Sequence, residues 1–143
     1  MSQRKKVNIS SEIRAAVRQR ANASCEYCKE LELFDSFTYQ IDHIIAEQHG
    51  GNSELDNLAF ACRTCNLYKG PNLASILPGS TTLVELFHPR KQVWSNHFSL
   101  DNSGEILVLT NTGHVTARLL RFNDVDRIVA RKKLIAKGFL QLG

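Results

Sequence analysis

The chain of 143 residues has room for one compact domain and not for a second full core. Its 43% hydrophobic and 22% charged residues are ordinary for a soluble globular protein, and no apolar run approaches the roughly 18 residues that a membrane helix needs. The basic start, MSQRKKVNIS, leads into no apolar segment, which argues against a secretory signal, and a cytoplasmic location is expected by default.

The net charge of +4 is unevenly spread. Residues 1–20 hold six basic side chains against Glu12, and residues 118–137 hold seven against Asp124 and Asp126, so each end is +5. The stretch between them has five basic and eleven acidic residues and stands at −6. Basic ends suit a polyanion such as nucleic acid, although most such runs merely solvate a helix face.

In chain order, residues 11–22 carry apolar side chains at helical spacing (Ile13, Ala16, Val17, Ala21). They predict an amphipathic helix that Ser10 or Ser11 can cap, packed on the cysteine module that follows and leaving Arg14, Arg18 and Arg20 free. Residues 38–45, TYQIDHII, are β-branched and aromatic enough for a strand, with Asp42 and His43 towards its end. Residues 46–53 are turn-rich. Residues 55–61, LDNLAFA, read as a second short strand with Asn57 at its start. A helix from Arg63 or Thr64 to Lys69 is stopped by Gly70-Pro71. Further on, residues 98–100 and 105–110 flank Asp101-Asn-Ser-Gly104 as a hairpin. Residues 123–137 show helical apolar spacing (Val125, Ile128, Val129, Ile135) and run out at Gly138. Arg127, Arg131 and Lys132 of that helix are candidates for contact with a phosphate backbone. His88, His97 and His114 read as structural, and Trp94 and Phe98 as core.

All four cysteines lie in two C-x-x-C pairs, Cys25-Glu-Tyr-Cys28 and Cys62-Arg-Thr-Cys65. Each such turn presents two sulfurs on one side, so two of them close a tetrahedral four-thiolate site for a structural Zn²⁺. Disulfides are the competing reading, but the chain has neither a secretory signal nor thioredoxin-like surroundings for a redox pair. The 33 residues between the pairs exceed the usual zinc-ribbon gap, so real structure is expected there. Four thiolates and one Zn²⁺ add −2 to an acidic centre. A phosphate chain approaching it needs another cation.

CEYC, DHII, HGGNSELDNLAFAC and CRTCNLYKG, in this order over about residues 24–71, resemble the HNH endonuclease family. The segments LFHPRKQVWSNHF and ILVLTNTGHVTARLLRFN are similar to the tail of a bacterial subgroup of that family. The resemblance implies an α+β fold: a small ββα-metal (His-Me finger) nuclease core with a four-cysteine zinc knuckle pair, plus a C-terminal β-hairpin and helix extension. Residues 1–77 would form the N-terminal helix and nuclease core, and residues 78–143 an extension packed on the same domain.

The family's motif positions fall on Asp42-His43, Asn57 and Asn66. The implied function is a divalent-metal-dependent DNA endonuclease that hydrolyses phosphodiester bonds with a His-activated water, leaving 5′-phosphate and 3′-hydroxyl ends. His43 would be the base, since a neutral imidazole near pH 7 suits that task. Asp42 and Asn66 would offer oxygens to a catalytic Mg²⁺ or Mn²⁺, and Asn57 would hold the loop that positions the histidine. Lys69, one turn past Asn66, could reach a phosphate; His49 is either a phosphate contact or merely solvent-facing. Adjacent strand residues point to opposite faces, so Asp42 and His43 can share a site only at an irregular strand end, and Gly50-Gly51 is compatible with one. The implied partner is DNA, with no membrane, and a homodimer only if both strands are cut. Two other classes remain: a non-catalytic zinc-ribbon nucleic-acid-binding protein, and a zinc-knuckle scaffold for protein contacts, for which the basic ends give no reason.

Overall fold

The computed structural model describes residues 9–140, so the basic Arg4, Lys5 and Lys6 lie outside the described residues. Ser10 caps the first helix, its hydroxyl accepting from the Ile13 amide at 3.2 Å. Helix α1 (Ser11–Arg20) buries Val17 completely and packs against the strand that precedes the second cysteine pair. Arg14 is exposed, but Arg18 and Arg20 are not free as expected. Arg18 Nε donates to Glu32 at 2.7 Å, and Arg20 donates to the Leu55 and Leu58 carbonyls at 2.8 and 2.5 Å.

Strand β1 (Gln40–His43) pairs antiparallel with β2 (Leu58–Ala61), setting Asp42 opposite Ala59 and His43 opposite Leu58. The second strand starts later than the sequence predicts, because Leu55–Asn57 forms a single 3₁₀ turn. All four residues of β2 are buried. Its far side is closed by the first cysteine turn: the Phe60 amide donates to Glu26 Oε2 at 2.7 Å, and the Phe60 carbonyl accepts from the Glu26 amide at 2.8 Å. Helix α2 (Arg63–Lys69) begins at Cys62 and ends at Gly70, whose φ of +50° precedes Pro71.

A hairpin and a helix go beyond the sequence expectation. Strands β3 (Ala74–Ile76) and β4 (Leu83–Glu85) form a hairpin around Pro78-Gly79-Ser80. Helix α3 (Asn111–Leu119) follows the predicted hairpin of β5 (Phe98–Leu100) and β6 (Ile106–Val108), and Thr110 caps it by accepting from the Gly113 amide at 3.0 Å. Helix α4 (Val125–Ala136) closes the chain.

The reading of α4 as a phosphate-facing helix is overturned for two of its three named cations. Arg127 is 5% and Arg131 0% exposed, while Val125 is 78% and Val129 44% exposed, so the helix is rolled away from the face its apolar spacing predicted. The physical reason lies in the acceptors underneath. Arg131 donates to the Gly104 and Phe122 carbonyls at 2.7 and 2.5 Å and to Asn123 Oδ1 at 3.1 Å, satisfying backbone groups at two turns that no aliphatic side chain could. Lys132 does face solvent.

One hydrophobic cluster joins Val17, Tyr39, Leu58 and Phe60 to Phe87, Phe98 and Phe122. The Phe98 ring sits 5.1 Å from Trp94 and 5.4 Å from Phe122, and Trp94 Nε1 donates to the Tyr27 carbonyl at 2.8 Å. The C-terminal half is thereby packed onto the first cysteine turn. Among the described residues, no helix is long and apolar enough to cross a membrane.

Candidate active site and metal centre

Cys25, Cys28, Cys62 and Cys65 are unbridged and buried, and their sulfurs lie within 4.8 Å of one another. A tetrahedron with bonds of about 2.3 Å needs sulfur–sulfur separations of about 3.8 Å. Cys28 and Cys62 stand at 3.7 Å. In each turn the amide of the second cysteine points at the sulfur of the first, at 3.5 Å for Cys28 and 3.3 Å for Cys65. Burial pushes the Cys28 and Cys65 thiols up, so a divalent cation is what would keep them as thiolates. The donor set fits a closed structural Zn²⁺ with no position left for water.

The middle of each cysteine turn, or the residue just after it, builds the neighbouring groove. Tyr27 is buried and its hydroxyl donates to Asp42 Oδ2 at 2.7 Å. Asn66, directly after Cys65, is half-buried and lines a groove of about 410 Å³ together with Asp42, His43, Glu47 and Gly70. The structure therefore brings Asp42, His43 and Asn66 to one cleft, although the first two point differently. The Asp42 carboxylate, 4% exposed, faces Tyr27 and Lys69, whereas the His43 ring turns to the loop, with Nε2 3.0 Å from Ser53 Oγ and 3.5 Å from Glu47 Oε1. Burial raises the Asp42 pKa above the ordinary carboxylate value, against the opposing pull of the Lys69 ammonium and the Tyr27 hydroxyl.

Lys69 is not placed to touch a phosphate. It is 2% exposed, and its ammonium lies 3.2 Å from Asp42 Oδ2 and 3.0 Å from the Ile44 carbonyl. A lone carboxylate at this depth would be strongly disfavoured, so the cation is held inside as its counter-charge. His49 is exposed and is not among the groove residues.

Asn57 is 6% exposed and clamps the loop after His43 from both sides. Its Oδ1 accepts from the Ile45 amide at 2.9 Å, and its Nδ2 donates to the Ile45 and Asn52 carbonyls at 3.0 and 2.7 Å. Gly51 completes the fold-back: a Cβ there would lie 1.7 Å from the Ile45 carbonyl oxygen. Asn57→Ala is expected to lower unfolding free energy by about 1–3 kcal/mol, measured in urea, because buried backbone groups lose their partners. Full parental stability would mean that water replaces the amide.

Tyr27, Glu47 and Ser53 are groove or supporting residues that sequence reasoning missed. Tyr27 carried a signal, since it lies inside a C-x-x-C pair. Glu47 and Ser53 come to His43 only through the loop conformation.

Residues 25–72 match the family model described as HNH endonuclease. The match contains both cysteine turns, β1, the clamped loop, β2 and α2, and leaves α1 and everything from β3 onward outside. No curated protein and no solved structure matches the chain.

Proposed function

We propose, from the match of residues 25–72 to the HNH endonuclease family model, that the chain is a divalent-cation-dependent endonuclease that hydrolyses phosphodiester bonds in DNA. The observation that carries this reading is the convergence of His43, Asp42 and Asn66 on one groove whose floor is tied to the cysteine turns. His43 accepts the proton of the attacking water, and Ser53 and Glu47 fix the orientation of its ring. Asp42 and Asn66 hold a Mg²⁺ or Mn²⁺ through hard oxygens, and Asp42 Oδ1, with only a 3.4 Å contact to Lys69 among the described residues, is its freer oxygen. When bound, that cation neutralises the scissile phosphate and the 3′ leaving oxygen. Asn57 keeps the histidine loop in place throughout.

A second reading draws on the Lys69–Asp42 ion pair, which occupies a carboxylate that catalysis needs: a zinc-stabilised nucleic-acid binder that does not cut. Supercoiled plasmid separates the two. Protein with verified zinc content should nick or linearise it when Mg²⁺ or Mn²⁺ is added and leave it intact without them. Retention of plasmid in a gel with no cleavage under any divalent cation would favour the binder.

A further inference from the structure

The cysteine cluster is contacted by a cation from a part of the chain outside the matched segment. Arg127 of α4 is 5% exposed, and its Nη2 lies 3.1 Å from Cys65 Sγ, 3.5 Å from Cys62 Sγ and 3.3 Å from Glu30 Oε2. Its Nη1 donates to the Leu120 and Arg121 carbonyls at 2.6 and 3.0 Å, which fixes the guanidinium plane at the end of α3. The other cations nearby act on the cluster only at longer range. Arg131 donates to oxygens only, and the Lys29 ammonium sits 5.2 Å from the Trp94 ring centre. Among the described residues, Arg127 is thus the cationic side chain in hydrogen-bond contact with sulfur.

Four thiolates around a divalent cation carry −2, and Glu30 makes the surroundings more negative still. Such charge is costly to bury unless it is offset locally. A guanidinium that donates to two of the sulfurs offsets that charge, which favours the metal-loaded site, and draws electron density from the sulfurs, which raises the energy of a sulfur-to-metal charge transfer. Both sulfurs contacted belong to the second turn, the one that begins α2 and precedes Asn66.

We propose that Arg127 is the positioning residue of the metal centre: the C-terminal helix supplies the charge and hydrogen bonds that keep Zn²⁺ on Cys62 and Cys65. The extension is then part of the metal site and not only packing around the nuclease core.

The test uses the full, zinc-loaded chain and three variants. Arg127→Met removes the contact, Arg127→Lys keeps a charge without the fork, and Arg131→Met is a control that removes another buried arginine of α4. Zinc transfer to a chromophoric chelator is timed well below the melting temperature, and the sulfur-to-cobalt charge-transfer band is recorded after Co²⁺ replaces Zn²⁺. Arg127→Met should retain zinc about 10–100-fold less well and move the band to lower energy. Arg131→Met should lose stability with the band unmoved. An unmoved band in Arg127→Met, with zinc transfer like that of Arg131→Met, overturns the proposal and makes Arg127 a helix clip. If Arg127→Met does not fold, Arg127→Lys decides. A smaller shift in the same direction supports the assignment, and a parental band with parental zinc transfer overturns it.

Discussion

His43→Ala is expected to lower the rate of plasmid cleavage by about 10²–10⁴-fold, the contribution of a positioned general base. Zinc content and melting temperature should hardly change. The ring is half-buried at the edge of the groove, and its contacts are to Ser53 and Glu47, not to the core. Asn66→Ala should look different. Asn66 lies in the first turn of α2 and lines the groove, so on the proposed reading its loss should weaken use of the catalytic cation and leave the base in place. Raising Mg²⁺ or Mn²⁺ should partly restore cleavage in Asn66→Ala and restore none in His43→Ala. If both variants cut at the parental rate, the assignment of this groove is wrong.

Cys28→Ser and Cys65→Ser are expected to unfold or precipitate the protein. Both sulfurs are fully buried, and metal binding in such sites is coupled to folding, so losing one of four ligands should cost several kcal/mol, on the order of a small domain's whole stability. The damage should reach the groove as well. Tyr27 adjoins Cys28 and holds Asp42; Asn66 adjoins Cys65. Zinc analysis with thermal melting checks this. A zinc-free variant that melts cooperatively at the parental temperature would show that packing alone supports the core.

Legibility in the sequence follows the range of the interactions. The cysteine pairs, the α2 start and stop, the 101–104 turn and the α1 cap rest on residues a few positions apart, and each appears where local chemistry put it. Helix α3 escaped notice because Gly113, Val115 and Thr116 are poor helix formers; its stability comes from the Thr110 cap and from packing against β3, β4 and β6. The buried arginines escaped for a longer-range reason. A charged residue in a sequence reads as solvent-facing, and only the fold places cysteine sulfurs and carbonyls around Arg127 and carbonyls around Arg131. Lys69 is the same case inside the groove. One turn after Asn66 it looked like a phosphate contact, but the inward turn of Asp42 demanded a cation at that spot.

The pairing of Glu26 with Phe60 has a consequence for the metal-free chain. Strand β2 is LAFA, uncharged and apolar, and a strand of that kind with an open edge is a template for a neighbouring molecule. In the folded protein one edge is taken by β1 and the other is covered by a residue inside the first cysteine turn. If Zn²⁺ ties the two cysteine turns together, its removal would free the first turn and uncover that edge. The first cysteine turn thus covers an edge open to self-association: a strong chelator added to the zinc-loaded protein should turn a clear solution cloudy by strand addition between molecules, and a solution that stays clear would count against this.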